Sequence, residues 1–327
     1  MQTKSILEQQ AQGATKMRIK NAFRILLSNI GTVYKIVLYR FIGMVIFALV
    51  AYFAVLSELK PLFEQPETTA LREAIDALLK GFLSGHGVNT ETLRPAFDAF
   101  TAMLSGERDV FTSVILETGA LIFALRFFYA YGDYAFASMM NGFMSSMNVP
   151  GFFGSFLGEM GKAALYALIV TLITTVAGTL IIAISVIIVV YALSYISVFA
   201  IILSVAFLVF GFTLERTLLS AFLPGIVCGK KGVGSALSHS APNGKNLSAL
   251  LGSYSFLLLL FFYINMSFGL FTLYIGLIVS LPLTALYFTL VSLTDYYIVT
   301  GRSYYVDYDT VVSPKEKREN AELLKYL

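Results

Sequence analysis

Hydrophobic and polar positions fall into long apolar runs separated by short charged stretches. The longest run, Ala163 to Leu214, holds no charged residue, no proline and only two glycines, Gly178 and Gly211. As one straight helix, roughly 50 residues at 1.5 Å rise would measure about 75 Å, against a hydrocarbon core of about 30 Å. The run therefore has to fold back, which predicts two membrane spans joined by a tight turn. Tyr191, Ser194, Tyr195 and Ser197 are its interface-suited cluster, so the turn is placed at Tyr191 to Ser197.

Four more runs read as spans: about Val37 to Leu56, Phe111 to Tyr131, Leu247 to Ile264 and Leu270 to Leu293. Asn265 to Gly269 is the expected turn between the last two, and Pro282 is expected to kink the final helix. The expected fold is all-α, a polytopic transmembrane helix bundle of about six spans arranged as three hairpins. It divides into a tail with a basic amphipathic helix (1–32), a first span (33–57), a helical insertion (58–110) and spans two to four (111–222). A basic loop (223–246), spans five and six (247–299) and a tail (300–327) follow.

The insertion predicts two helices. Leu71, Ile75, Leu78, Leu79 and Phe82 share one helical face; beyond the breaker Ser84-Gly85-His86-Gly87, so do Leu93, Phe97, Phe100, Met103 and Leu104. Pro95 fits only a first turn, so the second helix starts near Thr92. Both apolar faces require burial, against each other over the bundle or in the outer interface. A lid over a substrate cavity is the functional version of that arrangement.

Charge then sets the expected orientation. Lys16, Arg18, Lys20 and Arg24 interleave with Met17, Ile19, Phe23, Leu26 and Leu27, as in a basic amphipathic helix on an anionic leaflet. Basic residues ahead of a first span also orient it by charge alone. Lys35 and Arg40 are expected to snorkel to headgroups, and Lys230, Lys231 and Lys245 stand in a loop without acids. The insertion, where acids outnumber bases, is expected outside, with both termini cytoplasmic in a multi-pass cell membrane protein. No cleavable signal peptide is read at the start, because the first apolar run is long enough to remain as an anchor. Composition agrees with this class: 57% hydrophobic, 13% charged, mean hydropathy +0.77. A net charge of +3 is too small to point to nucleic acid, and the single cysteine, Cys228, cannot form an intramolecular disulfide.

Arg126 is the most informative charge, since ionisable groups inside a span are costly and usually face an interior path. The second and fourth spans run in the same direction, so Arg126 and Glu215 reach matching depth and are expected to pair, with Asp133 the rival partner. Glu117, Asp133, Glu159 and Asp295 are secondary polar positions. Gly151, Gly154, Gly158 and Gly161 recur at steps of three and four, which places them on one helical face for close backbone packing. Gly229-Lys230-Lys231-Gly232-Val233-Gly234 resembles a phosphate cradle superficially, but lacks the Lys-Ser or Lys-Thr ending and a preceding strand, so it reads as a flexible loop. His86 and His239 are expected on opposite sides of the membrane, which leaves no metal-ligand cluster and no cofactor to expect. Tyr296, Tyr297, Tyr304 and Tyr305 read as interface anchors.

Short semi-polar helical segments precede each hairpin, at Lys16 to Ser28, Asp133 to Met147 and Gly232 to Ser240, a pattern suggestive of triplication. The run Phe222-Leu223-Pro224-Gly225-Ile226-Val227, then Gly232 to Ser240, Lys245-Asn246-Leu247 and an apolar span resembles the membrane domain attached to some bacterial glycerophosphodiester phosphodiesterases, and similar uncharacterised bacterial integral membrane families. The opening from Asn21-Ala22-Phe23 through Asn29 is similar to how those families begin. The resemblance covers about a third of the chain and implies a fold and no activity, because no phosphodiesterase catalytic domain is present. No HExxH, GxSxG or paired intramembrane aspartate occurs, so a non-enzymatic role is expected. The leading expectation is a bacterial-type inner-membrane protein that is transporter-like or cargo-handling, with the lipid bilayer and an unknown membrane protein as possible partners. A partner-binding scaffold and an intramembrane enzyme on a lipid substrate are the alternatives. A polar cavity within the bundle would favour the first.

Overall fold

A computed structural model describes residues 17–83, 93–106, 108–193, 197–242 and 244–313. Helix α1 (17–28) ends at Asn29, whose side-chain amide donates to the Ile25 carbonyl at 3.0 Å and whose own carbonyl accepts the first bonds of α2 (Ile30–Ala51). A π-helical turn (Tyr52–Leu56) leads to α3 (Ser57–Phe63), α4 (Pro66–Leu83) and α5 (Leu93–Gly106). Then come α6 (Arg108–Ser146), α7 (Phe152–Leu157), α8 (Met160–Leu193), α9 (Ser197–Leu218), α10 (Phe222–Val227), α11 (Val233–Ser238), α12 (Gly244–Phe271) and α13 (Leu277–Val299). A small antiparallel hairpin closes the order, β1 (Tyr304–Tyr305) with β2 (Val311–Val312), pairing Tyr304 with Val312.

Six helices, α2, α6, α8, α9, α12 and α13, are long and apolar enough to cross a membrane. The chain is an all-α, multi-span membrane bundle. Its outward faces carry stripes such as Leu38, Ile42, Ile46 and Leu49 on α2 and Leu168, Leu172, Val176 and Leu180 on α8, all exposed. In a bilayer these stripes are solvated by acyl chains, so association relies on packing and on polar contacts inside the bundle. Each span touches the next in chain order, and α13 touches both α12 and α2, which closes the six into a ring.

The best-packed core lies at the end of the bundle that carries α1. There the last turns of α6 bury Tyr134, Phe136, Met140, Phe143 and Met144 against α10, α13 and β1, in one core with Ala22, Ile25 and Leu26 of α1. This corrects the expectation that the second span ends at Tyr131 and that Asp133 to Met147 is a short helical segment of its own. The helix runs unbroken for 39 residues, about 58 Å at 1.5 Å per residue, and its small and flexible Ala and Met side chains fill the core. Of the three short segments read as repeats, 17–28 and Val233–Ser238 are separate helices, whereas Asp133 to Met147 is the extension of α6.

The expected α12–α13 turn is displaced. Asn265 sits inside α12, buried, and donates to Thr284 Oγ1 at 3.2 Å. The chain reverses at 272–276 instead, where Leu273 and Tyr274 adopt positive φ. The basic loop is structured, with α10 almost wholly buried and α11 standing on it. Two of the exit tyrosines are not anchors: Tyr297 donates to Asn141 Oδ1 at 2.7 Å, and Tyr304 accepts from Asn21 at 2.8 Å, so both rings are buried, while Tyr296 and Tyr305 stay partly exposed.

At the opposite end α4 and α5 pack on each other, with Ala74 buried and Thr68 Oγ1 3.7 Å from Met103 Sδ. Ile75 and Phe97 nonetheless remain exposed, because two helices meeting at one seam cover only part of each apolar face. The side chains of Leu78, Leu79, Phe82, Leu93 and Leu104, and all of His86, lie outside the described residues.

Candidate functional site

The site begins at the seam between α2 and α6. Tyr39 and Phe128 stack at 4.1 Å with an interplanar angle of 12°. A β-carbon on Gly132 would lie 2.6 Å from Tyr39 Cε1, and one on Gly43 would lie 2.3 Å from Phe128 Cε1. Each helix thus offers an aromatic ring and, four residues later, a glycine on which the other helix's ring rests. Beside this lock, Arg40 of α2 forms an ion pair with Asp133 of α6 and stands 5.3 Å from the Tyr129 ring centroid. Arg40 is only 4% exposed. It does not snorkel to headgroups, because a carboxylate on the neighbouring helix satisfies it within the bundle.

That pair forms one wall of a cavity of about 320 Å³ inside the ring, to which all six spans contribute. α6 adds Arg126, α8 adds Tyr166, Thr171 and Thr174, and α9 adds Glu215 and Arg216. α12 contributes Tyr254, whose hydroxyl lies 2.7 Å from the Ser292 hydroxyl of α13. Three guanidiniums and two carboxylates therefore line one partly open space, with Arg216 at an exposed position.

Arg126 and Glu215 are brought to this cavity together, but they form no ion pair; Asp133, the rival partner, belongs to Arg40. Both arginine charges, Arg126 and Arg216, act on Glu215 through space. The Arg126 guanidinium crosses to α8 at Gly178, where a β-carbon would lie 3.5 Å from Nη2. Among the described residues it has neither a hydrogen bond nor an ion pair. Glu215 Oε2 is buried without a hydrogen-bond partner, and Arg216 lies 5.6 Å from the Phe288 ring centroid.

The other candidates lie elsewhere. Asp295 pairs with Arg18 at 2.6 Å in a buried contact that fastens α1 to the end of α13. Arg24, also on α1, pairs with Asp307 beside the β-hairpin. Two of the basic residues read as facing lipid are thereby used within the protein. Glu159 accepts from Lys162 at 2.8 Å and from the Tyr134 hydroxyl, contacts that hold its carboxyl below the usual range. Glu117 is on α6 away from the cavity, with Oε2 buried and unpaired.

The Gly151, Gly154, Gly158, Gly161 face does not pack backbone to backbone. Among the described residues nothing lies within 4 Å of a β-carbon built at Gly151, Gly154 or Gly161, and Gly158 meets only the carbonyl of Gly154. The α7 helix ends before Gly158, so the four do not share one continuous helix. Close approach occurs at Gly43, Gly132 and Gly211, the last receiving Ile181 of α8.

Sequence reasoning missed Arg216, Tyr166, Tyr254 and Ser292 as lining residues. A usable signal was the recurrence of hydroxyls at steps of three or four within apolar runs, as at Thr171, Thr174 and Thr175, or Thr289 and Ser292.

Cys228 lies just outside the fourth span, 6% exposed, and burial pushes its thiol up to about 12. It is therefore a thiol and not a thiolate at neutral pH. Maleimide should leave it unmodified in the folded protein and modify it after denaturation, as read by intact mass; rapid labelling of the folded protein would contradict this packing. No family model, no curated protein and no solved structure matches the chain.

Proposed function

We propose that this protein is a non-enzymatic, transporter-like membrane protein that handles a small polar cargo in the cavity within its ring of spans. The observation that carries the reading is the composition of that cavity. Arg126, Glu215 and Arg216 face a shared space inside a bundle whose outside is apolar, and Arg126 and Glu215 are not consumed by pairing. Keeping unpaired ionisable groups at membrane depth is costly, and a passive bundle gains nothing from it. In this reading the protein resides in a bacterial-type inner membrane. The end with α1, Lys162, Lys230, Lys231 and Arg302 is cytoplasmic and the acid-rich α3–α5 segment is outside. An anionic inner leaflet would suit Lys20 and the exposed Phe23 and Leu27 of α1.

Cargo handling requires the cavity to be reachable from each side at some point in a cycle. A cysteine placed at Thr174 in a Cys228→Ser background should react with an impermeant charged thiol reagent in both right-side-out and inside-out vesicles. Labelling from one face only, or from neither, would overturn the transporter-like reading and leave a partner-binding scaffold.

A further inference from the structure

We propose that the cavity selects an oxyanion that still carries a proton, a phosphate or phosphomonoester monoanion, with Arg126 as its cation and Glu215 as the acceptor of its P–OH hydrogen. The inference deepens the cargo reading and rests on it. The net formal charge of the lining is positive by one, which matches a monoanion. Arg40 is held by Asp133, and Arg216 is placed over Phe288, so among the described residues Arg126 is the lining guanidinium with no hydrogen bond, ion pair or ring contact. Its planar fork of donors fits two oxygens of a tetrahedral oxyanion.

Glu215 decides which oxyanion. Among the described residues its Oε2 is a buried acceptor with no donor, and an unfilled buried acceptor is a standing cost. A fully ionised anion placed against Arg126 would meet this carboxylate as a like charge. An anion with an O–H would donate to it, and so fill the vacant acceptor and the vacant guanidinium in one step. Phosphomonoesters, whose second ionisation lies near pH 6, offer that O–H close to neutrality, whereas sulfate offers none. The hydroxyls of Tyr254 and Ser292 line the same cavity, and 320 Å³ leaves room for the group together with water. Inorganic phosphate and the headgroup of phosphatidic acid present the same chemistry.

The test uses the full chain, stripped of lipid in mild detergent and titrated calorimetrically with inorganic phosphate and with sulfate. In a second arm it is placed in nanodiscs containing phosphatidic acid or phosphatidylmethanol, an anionic phosphodiester without a hydroxyl, and bound lipid is read by native mass spectrometry. The protonated monoester should be preferred over its hydroxyl-free counterpart by about 10- to 100-fold, the worth of one charge-assisted hydrogen bond. Glu215→Gln, nearly isosteric, should abolish the preference, and Arg126→Met should remove binding of both. Preference in the first arm identifies a free phosphate as the cargo; preference in the second alone identifies the lipid. Sulfate bound as tightly as phosphate, a preference unchanged in Glu215→Gln, or no binding in either arm would overturn the proposal; the wild-type comparison decides even if a variant does not fold. If Thr174 labels from both faces and no phosphate binds, this assignment falls alone. If phosphate binds and labelling is one-sided, the transport reading falls and the site stands.

Discussion

Arg40→Ala and Asp133→Ala should each destabilise the bundle by about 3–5 kcal/mol, and the double substitution should recover much of that loss. Arg40 is buried and Asp133 half-buried on facing helices, so removing one strands a charge where neither water nor another partner can reach it fully. Removing both leaves two small apolar groups beside the Tyr39–Phe128 stack, an environment that accepts them. The same cycle at Arg126 and Glu215 should give a coupling far smaller than at Arg40 and Asp133, because those two share the cavity without pairing. Thermal unfolding in one detergent, with each single and double variant measured side by side, supplies both cycles. Equal couplings at the two sites would mean that the charges are partitioned differently from the structure.

Gly132→Ala should cost about 1–3 kcal/mol in the wild-type background, since the added methyl would stand 2.6 Å from Tyr39 Cε1 and 3.0 Å from Cδ1. The ring has little freedom to retreat. It is stacked on Phe128, and its hydroxyl donates to the Phe128 carbonyl at 3.0 Å. In a Tyr39→Ala background the sign should change: with the ring gone, alanine gains its ordinary helical advantage over glycine of about 1 kcal/mol. Circular dichroism melts of the four proteins would show the reversal. A penalty that persists without Tyr39 would mean that something other than the ring fills the space above Gly132.

What the sequence disclosed follows from which forces act locally. The six apolar helices were legible because length and hydropathy suffice to define a span, and the α8–α9 reversal was legible because no straight helix of that length fits a bilayer. Arg126 and Glu215 could be placed in one site because charges at membrane depth are rare enough to be singled out. Their lack of pairing was not legible. It depends on Arg40, which spacing placed at an interface, reaching Asp133 on a helix 93 positions later. The glycines failed for a related reason. Steps of three and four mark a face only if one helix continues through them, whereas Gly43 and Gly132 act singly, each against a ring supplied by another helix. Tyr297 and Tyr304 misled because an aromatic near a span end looks the same whether it faces headgroups or a polar side chain of another helix, here Asn141 of α6 and Asn21 of α1.

The ring-on-glycine lock also bears on ancestry. Tyr39 with Gly43, and Phe128 with Gly132, are the same short word, an aromatic followed four positions later by glycine, written once in each of two antiparallel helices. Neither copy works without the other, so drift at one should be tolerated only when the facing letter changes with it. Descendants of a common ancestor could lose nearly every other identity in these apolar helices, where leucine, isoleucine and valine interchange freely, and still keep both words at opposite register. The pair, with an arginine one position after the first aromatic and an aspartate one position after the second glycine, is a six-letter watermark by which distant kin can be told from merely greasy sequences.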